Sequence, residues 1–505
     1  MTQHPTRAYD VAILGAGIVG CYLASRLATQ GGRVALIDRG PLRPRAPSAA
    51  LPDLTCVGRG HLGSRLARNH VVGGNSLFWG GGLIPNRADS LAECMAGTFF
   101  ANDTSNETMR AYLSSVARAL GVKRPSPIEP AVSSGPRSAH RSEMLVLLGR
   151  RRDIAGRMLG APDFARGVDV YPDSLVEALS AANGRLREIS IRSAGLGRAS
   201  LSAREFVISM GVVDSILFAI RFGAELRIDA GSQVGRCLHD HWSVPIFDVT
   251  RRSPAFLREV APRFLEGNLA TSRVELRDPA GWGARGFLHF QPRFDEAPPY
   301  REIKKLLELR QKGGTPGAYA RVAAGLVASV PMLAKLGMDR LMDRTVTVGK
   351  DVPIGASVDF ESYPSPENRI EWTADHSARL HWRICGQDAD TFSGLLAQCV
   401  SLVQRDAACN GIEWTNRVDG FGGDRAGYLE HHGIDAYHLG GGLQVGTDYR
   451  NSVLDPHLRL HGTRNVSVIS TAVFARPGVA NPTLTLLALA EWYAAHAFED
   501  SGVRH

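Results

Sequence analysis

The sequence predicts an α/β fold: a parallel sheet covered by helices, with a second part on an antiparallel sheet inserted between separated segments of the first. The chain opens with an apolar run, a glycine turn, a helical stretch and a second apolar run, over residues 9–40. It closes with a strand and a long helix, over residues 466–498. Residues 250–414 form a block of longer alternating segments with inserted helices, which favours an antiparallel sheet.

The first unit has the order strand, turn, helix, strand, which is one parallel βαβ unit. Its parts are a strand at residues 11–14, a helix at 18–28 and a strand at 33–38. Gly15, Gly17 and Gly20 form a GxGxxG motif between the first strand and the helix. In such a motif the first glycine allows the tight turn and the second lets the backbone approach a pyrophosphate. The third lets the helix pack against the strand.

The helix after this turn offers free N–H groups and the positive end of its dipole to a phosphate. Asp38 closes the second strand, 18 residues after Gly20, where a carboxylate can accept from ribose hydroxyls. The pattern therefore predicts a Rossmann-type dinucleotide-binding unit, but it does not distinguish FAD from NAD. An acid at position 38 argues only against a 2′-phosphate on the ribose.

The rest of the chain predicts two parts that alternate along the sequence. The predicted elements are a polar helical stretch at 101–166 with a turn-rich interruption at 125–136, short strands at 168–210, a helix at 212–222 and a β-hairpin at 369–384. We expect a nucleotide-binding domain made of residues 1–100, 166–250 and 425–505. The second domain then comprises residues 101–165 and 251–424.

Composition excludes several classes of protein. The net charge is +8, from 58 basic and 50 acidic residues, and no basic run is interleaved with aromatic residues, so nucleic-acid binding is not expected. The seven cysteines are odd in number and form no CxxC pair, which argues against a disulfide framework or a zinc site. No signal peptide or membrane span is expected, and the cytoplasm fits best.

Three further stretches resemble the glucose–methanol–choline (GMC) oxidoreductase family, in the family's order and spacing. They are NHVVGGNSLFWGGGLIPNR at 69–87, the segment from AREFVISMG to VGRCLHDH at 203–241, and the segment from YHLGGG to ALAEW at 437–492. The resemblance implies FAD as the cofactor and transfer of a hydride from a substrate C–H to the flavin. It places a turn beside the flavin at Gly73, Gly74, Asn75 and Ser76, and a catalytic pair at His438 and Asn481.

The pair also makes chemical sense by itself. A hydride leaves an alcohol carbon more easily when a base takes the hydroxyl proton, and a neutral histidine suits that task. An adjacent amide can hold the hydroxyl without competing for the proton. The structural alternatives are a hydrogen-bonded histidine before a glycine turn, and an N-cap at Asn481 with Pro482 at the first helical position.

The same helix start would aim its positive end at the flavin and stabilise the reduced anion. The candidate cofactor-binding residues are Gly15, Gly17, Ile18, Gly20, Asp38, Arg39, Gly73, Gly74, Asn75, Ser76, Asn481, Pro482 and Thr483. FAD is expected to bind without a covalent link, because Phe78 stands where some family members carry the histidine that attaches the flavin.

Arg476 departs from the family, whose members often carry a small or hydroxyl residue there. It is expected to hold an anionic group near the flavin or substrate, to stabilise the reduced flavin, or to form a surface salt bridge. His239, His241 and His461 are interpreted as structural.

The segment from Arg301 to Arg344 predicts helices, with Pro331 ending or kinking one of them. The expected place is beside the substrate entrance. Packing on the second domain and peripheral contact with an anionic membrane are the two alternatives.

The sequence as a whole predicts oxidation of a primary or secondary alcohol on a polar, polyhydroxylated molecule such as a sugar, aminoglycoside or nucleoside. The alternatives are a sterol or other apolar alcohol oxidase, a non-catalytic flavoprotein, and an NAD-linked dehydrogenase. The NAD-linked dehydrogenase is disfavoured, because the stretch at 437–492 has no role in such an enzyme. The electron acceptor, oxygen or another, stays open.

Overall fold

The computed structural model of the chain describes residues 7–43, 54–102, 106–122, 141–148, 152–228, 233–265, 267–278, 282–312, 315–342, 344–373 and 377–497. Its strands are β1 (Arg7–Leu14), β2 (Val34–Ile37), β3 (Leu54–Gly58), β4 (Gly82–Leu83), β5 (Arg141–Val146), β6 (Val168–Tyr171), β7 (Ser174–Ala182), β8 (Arg185–Ser193), β9 (Gly197–Ile208), β10 (His241–Arg251), β11 (Arg263–Leu265), β12 (Asn268–Arg277), β13 (Arg285–Pro292), β14 (Ile354–Glu361), β15 (Arg369–Trp372), β16 (Ala378–Trp382), β17 (Glu413–Asn416), β18 (Ile434–Asp435) and β19 (Val466–Val468).

Its helices are α1 (Ile18–Thr29), α2 (Leu62–Leu66), α3 (Ala88–Cys94), α4 (Phe99–Asn102), α5 (Asn106–Ala119), α6 (Ile154–Leu159), α7 (Pro162–Gly167), α8 (Gly211–Arg221), α9 (Pro254–Val260), α10 (Tyr300–Lys312), α11 (Pro316–Ala328), α12 (Val330–Met342), α13 (Gly386–Asn410), α14 (Arg425–His432) and α15 (Pro482–His496).

The first sheet is the predicted parallel one. Its order is β6-β2-β1-β9-β8-β7, and β19 pairs with β9 beside Phe206–Ile208. β6, β2, β1, β9 and β19 run parallel, while β7, β8 and β9 form an antiparallel meander at one side. Val11–Leu14 of β1 and the whole of β2 are continuous apolar runs with both faces covered, as expected of a parallel sheet. The α/β class and the predicted βαβ unit are confirmed.

The second sheet is antiparallel, as predicted, and has the order β17-β10-β14-β13-β12-β5-β4, with β11 on β12 and β18 on β10. Two of its strands differ from the sequence prediction. β10 starts at His241, so this sheet begins before the boundary expected at residue 250. β5 lies in the stretch expected to be helical, because its backbone pairs with β12 from a distant part of the chain.

Helices α4, α5, α6 and α7 do form in the remainder of that stretch, while its turn-rich interruption lies outside the described residues. The predicted hairpin at 369–384 is confirmed as β15 and β16, which pair antiparallel. β16 also pairs in parallel with β3, so a third, small sheet joins the hairpin to an early part of the chain.

The predicted helical segment lies between neighbouring strands β13 and β14, as α10, α11 and α12. The chain bends by 72° between α11 and α12, and Pro331 lies in the first turn after that bend, as expected. Within the described ranges, no helix is by itself both long and apolar enough to cross a bilayer. α11 and α12 reach that length and composition only as a bent pair.

Candidate active site

The glycine turn after β1 has the geometry of a dinucleotide loop. Gly15 has a φ of +103°, a conformation that favours glycine. A Cβ on Gly20 would lie 1.9 Å from the Gly15 carbonyl oxygen, so α1 can start this close to the turn only with glycine there. A Cβ on Gly17 would meet nothing within 4 Å, so the helix start beside Gly17 is open to a ligand.

Asp38 holds this loop to the end of β2. Its Oδ2 accepts from the Ala16 N–H at 2.7 Å and its Oδ1 accepts from the Gly40 N–H at 2.7 Å. Burial raises the pKa of the Asp38 carboxyl above its ordinary value. Each oxygen keeps a further lone pair, which leaves room for a ribose hydroxyl. The neighbouring Arg39 pairs at 3.9 Å with Asp214 on α8.

The second glycine turn lies directly against the first. Gly73 and Gly74 both have positive φ, and the Gly73 N–H donates to the Ala16 carbonyl at 2.7 Å. A Cβ on Gly74 would lie 3.1 Å from the Gly17 Cα. The Ser76 hydroxyl donates to the Gly73 carbonyl at 2.6 Å and so fixes the turn. Asn75 accepts at 2.9 Å from the side-chain amide of Asn69.

Together the two turns form a cradle whose close approaches only glycine permits, with a helix start facing it. These features fit the pyrophosphate and ribose of FAD. When bound, FAD supplies the acceptor for a hydride, and the loop, Asp38 and the second turn would hold it.

His438 lies beside His241, and their contact fixes which ring nitrogen carries the proton. The His241 Nε2 lies 2.6 Å from the Gly478 carbonyl oxygen, so it must donate. In the tautomer that donates through Nε2, the His241 Nδ1 is an acceptor, and it lies 3.3 Å from the His438 Nδ1. His438 therefore donates through Nδ1, and its Nε2 keeps a free lone pair.

The His438 imidazole is neutral near neutral pH. Burial, and next the nearby His241, lower the pKa of His438 to about 4. Among the described residues the Nε2 atom has no hydrogen-bond partner. A neutral imidazole with a free lone pair can accept a proton from a substrate hydroxyl.

Asp240 positions the backbone at His438. Its carboxylate accepts from the His438 N–H at 3.0 Å and from the His241 N–H at 2.6 Å. It also lies 3.2 Å from the His61 Nε2, which carries a proton because the His61 Nδ1 accepts from the Ser64 N–H. These groups have the spacing of metal ligands. The Asp240 carboxylate and the facing Nδ1 atoms of His241 and His438 already take part in hydrogen bonds, so the arrangement forms a hydrogen-bond network.

Asn481 stands immediately before α15, as predicted, but it does not cap the helix. Its side chain makes no capping hydrogen bond, and its amide has no hydrogen-bond partner among the residues described. Instead the Asn481 Nδ2 lies 3.7 Å from the position of a Cβ on Gly82. Pro482 takes the first helical position. The expected cap is therefore wrong, and the amide is free for a ligand.

One face of the antiparallel sheet extends from the His438 Nε2 to the Asn481 amide, two groups that have no hydrogen-bond partner among the described residues. Strand register places on this face His241 and Ser243 of β10, Asp359 of β14, His289 of β13, Arg273 of β12 and Met144 of β5. At one end His241 contacts His438. At the other end the Met144 Sδ lies 3.0 Å from the position of a Cβ on Gly82, beside Asn481. We call these six residues the sheet floor.

The sheet floor is charged. Asp359 accepts from Arg273 Nη1 at 2.8 Å and from the Ser243 hydroxyl at 2.6 Å, and it lies 3.4 Å from the His289 Nδ1. Arg273 Nη2 faces the Met144 sulfur at 3.4 Å, and Arg273 Nε is buried without a hydrogen-bond partner. The charges of Asp359 and Arg273 both act on the pKa of His438.

Sequence reasoning missed the sheet floor. His241 was expected to be structural, and it does bind the Gly478 carbonyl, but it also contacts His438. Arg273 and Asp359 were not singled out. The available signal was a charged residue inside an otherwise alternating apolar strand, which is rare in a buried position unless the charge is paired.

Arg476 is bound to protein carboxylates inside the chain. Its Nη2 donates to Glu361 at 2.6 Å and its Nη1 to Glu93 at 2.8 Å, while its guanidinium lies 4.2 Å from the centre of the Trp282 ring. Glu361 is only 1% exposed, so this is an internal ion pair and not a surface salt bridge. Two nitrogens of the guanidinium are bound to protein carboxylates, while its Nε is buried without a hydrogen-bond partner among the described residues, and a role toward flavin or substrate stays a prediction.

The other two histidines have structural partners. His239 is buried, and its Nε2 lies 3.0 Å from the Phe474 carbonyl oxygen. His461 contacts the Ser452 hydroxyl at 2.9 Å.

A dinucleotide cradle in the same fold as a histidine with a free lone pair indicates an oxidoreductase that uses a dinucleotide cofactor. Comparisons with known proteins agree. The C-terminal model of the GMC oxidoreductase family matches residues 364–490, and a model of the ketopantoate reductase PanE/ApbA matches residues 11–49, the first βαβ unit. A comparison with curated protein sequences gives no match.

Solved structures share the fold over nearly the whole chain. Pyridoxine 4-oxidase from Mesorbium loti has a TM-score of 0.59 and 15% identity, covering 98% of this chain and 100% of that one. Formate oxidase has a TM-score of 0.59 and 13% identity, covering 98% of this chain and 99% of that one. The family match at residues 364–490 and the shared fold agree with the resemblance drawn from the motifs, and they support an FAD-dependent oxidoreductase acting on CH–OH donors. The resemblance drawn from the motifs is confirmed.

FAD is expected to be released whole when the protein is denatured. Phe78, at the position that could carry a linking histidine, has no nucleophilic atom and is 57% exposed. No cysteine lies in residues 69–87. Acid or heat denaturation should leave all yellow colour in the supernatant as free FAD. Colour that stays with the precipitated chain would show a covalent link.

Proposed function

We propose that the protein oxidises a primary or secondary alcohol on a polar, hydroxylated molecule, such as a sugar, aminoglycoside or nucleoside. His438 takes the hydroxyl proton at Nε2, and the Asn481 amide holds the hydroxyl oxygen. The observation that carries the proposal is the sheet floor, because it joins these two free groups and is charged.

We further propose that one sheet binds the cofactor and the other binds the substrate. On this reading the parallel sheet and its loops, in residues 1–100, 166–240 and 425–505, hold FAD. The antiparallel sheet, in residues 241–424 with β5 and with β4 contributed from the first of those ranges, forms the substrate site. The boundary at 240 follows from the start of β10.

His241 is a positioning residue in this scheme. With its own proton fixed on the Gly478 carbonyl, it can only accept from His438, so it keeps the His438 Nε2 unprotonated and aimed at the open side. Gly478 lies three residues before Asn481. The segment at 478–481 therefore has two roles. Its Gly478 carbonyl sets the tautomer of His241, and through it the position of the proton on His438, and its Asn481 stands immediately before α15 and carries the free amide.

The charged floor favours a polar substrate over a sterol. An apolar ring system laid on the partly exposed pair of Arg273 and Asp359 would remove charged groups from water without giving them a partner, and an unpaired buried polar group costs about 1–3 kcal/mol. A hydroxyl or ring oxygen can hydrogen-bond the exposed part of this pair. A non-catalytic flavoprotein has no need for the free His438 lone pair and the free Asn481 amide.

The test is anaerobic reduction of the bound flavin by a panel of sugars, amino sugars, nucleosides and sterols. We expect bleaching of the flavin absorbance by a polar member and none by sterols. Bleaching by sterols alone would reject the substrate class. Absence of bleaching by any alcohol in the panel would favour the non-catalytic reading.

A double variant checks the role of the floor. Arg273→Met with Asp359→Asn removes both charges, so neither is left unpaired in the interior. The loss of a hydrogen bond from a charged group should lower kcat/KM for the polar substrate about 10- to 150-fold. FAD content and the melting temperature serve as controls. An unchanged kcat/KM would remove the floor from the substrate site.

A further inference from the structure

Helices α11 and α12 expose an apolar surface that the rest of the chain does not cover. α12 has no buried residue and α11 has only Val322. Val327, Met338, Leu341 and Met342 are between 60% and 83% exposed. Exposed apolar groups this large and this close together are unusual on a monomer and mark an interaction surface. These faces of the segment do not pack on the second domain.

The exposed residues lie on one stripe of each helix. At about 100° per residue, the spacing in α12 brings its exposed apolar side chains onto one side, and the same holds in α11. The members of this apolar face are Ala320, Ala323, Ala324, Val327, Ala328, Val330, Pro331, Ala334, Met338, Leu341 and Met342. Val327 and Val330 lie on either side of the bend between α11 and α12, so the apolar stripes of the two helices meet at the bend.

The other side of α12 is fixed to the protein. The Arg340 guanidinium lies 4.5 Å from the centre of the Phe264 ring on β11. Asp339 hydrogen-bonds the Thr347 hydroxyl and pairs with Lys335 at 3.3 Å. The same inward side carries the partly buried Met332, Leu333 and Leu336, and Met332 packs at Gly349. α12 is therefore apolar on both sides, and its outward apolar side is left uncovered by the described residues.

Basic residues border the apolar face. Residues 315–344 carry four basic and two acidic side chains. Arg321 is exposed and has no ion-pair partner among the described residues, and Lys335 lies at the edge of the stripe on α12. An apolar stripe with a basic border fits the boundary between anionic headgroups and acyl chains.

We propose that the apolar face of α11 and α12 docks on an anionic lipid bilayer, with Val327, Leu341 and Met342 entering the headgroup boundary. A second copy of the chain fits less well. A two-fold interface pairs the same patch with itself, which would bring the arginines and lysines of both copies together. Lipid phosphates instead neutralise those charges.

The test is co-sedimentation of the FAD-loaded full chain with vesicles. Equimolar phosphatidylcholine and phosphatidylglycerol vesicles should carry the protein down, and phosphatidylcholine vesicles should carry much less. The triple variant Val327→Gln, Leu341→Gln, Met342→Gln should bind about 30-fold more weakly, because each buried methylene contributes to membrane affinity. Arg321→Gln should bind about fivefold more weakly.

The matched control changes exposed leucines elsewhere. Leu66 and Leu196 are 56% and 51% exposed on α2 and on the β8–β9 turn. Leu66→Gln with Leu196→Gln should sediment like the wild type. Failure of the wild type to bind the anionic vesicles would overturn the proposal. So would a dimer, seen by sedimentation velocity, that the triple variant abolishes, because the second copy would then be the occupant.

Discussion

Replacing His438 by alanine is expected to leave a folded, yellow protein whose flavin is reduced about 10²- to 10⁴-fold more slowly by its alcohol substrate. The range is the usual contribution of a positioned general base. The variant should keep its FAD, because the contacts that fit the cofactor come from the two glycine turns and Asp38. Stopped-flow absorbance under anaerobic conditions measures the reduction step directly.

A second histidine variant, His461→Ala, shows whether slower flavin reduction is specific to His438 or follows from the loss of any histidine. His461 contacts the Ser452 hydroxyl and takes no part in the contacts at His438. His461→Ala should reduce its flavin at the wild-type rate. A His438→Ala rate close to wild type would remove His438 from the role of base.

Asn481→Ala distinguishes the two roles considered for that residue. Because its side chain makes no capping hydrogen bond, the melting temperature should stay close to wild type. Flavin reduction should slow, because the hydroxyl loses its amide partner. A variant that loses only stability, by the ~1 kcal/mol typical of a missing cap, would restore the structural reading.

The largest expected effect on the cofactor comes from Gly20→Ala. The added Cβ would lie 1.9 Å from the Gly15 carbonyl oxygen, a backbone atom that cannot move aside without opening the turn. We expect a protein that is purified colourless, with a clearly lower melting temperature. The flavin content per chain and a thermal melt measure both effects.

Gly17→Ala is the matched comparison. Its Cβ meets nothing within 4 Å in the protein itself, so the fold should be retained. The methyl group would occupy the side of the loop that a pyrophosphate approaches, so FAD should bind more weakly. If Gly17→Ala instead binds FAD as tightly as the wild type, the open side of this loop does not face the cofactor.

The nucleotide-binding half was predictable because its signals are local. The spacing of Gly15, Gly17 and Gly20 follows from steric limits on one turn, and the structure has that turn where the sequence predicts it. Asn481 and Pro482 mark the start of α15 for a similar reason. The missing capping bond was not predictable, since it depends on where the side chain turns once Gly82 and Met144 are nearby.

The sheet floor was not predictable because its members are distant in the sequence. His241, Arg273 and Asp359 come from three strands, and only strand register brings them onto one face. β5 was missed for the same reason: its pairing with β12 outweighed the helical character of the residues around it. Arg476 is a related case, because its partners Glu93 and Glu361 come from far earlier in the chain.

The pH dependence of flavin reduction tests the central claim most directly, namely that His438 is a neutral base. A base acts only when unprotonated, so the rate should fall as the pH falls through the pKa of His438, which burial lowers to about 4 from the ordinary 6.5. The account predicts a rate that is constant from about pH 8 to about pH 5.5 and then falls, with this fall absent in His438→Ala. An inflection at or above 6.5, or the same profile in His438→Ala, would contradict it.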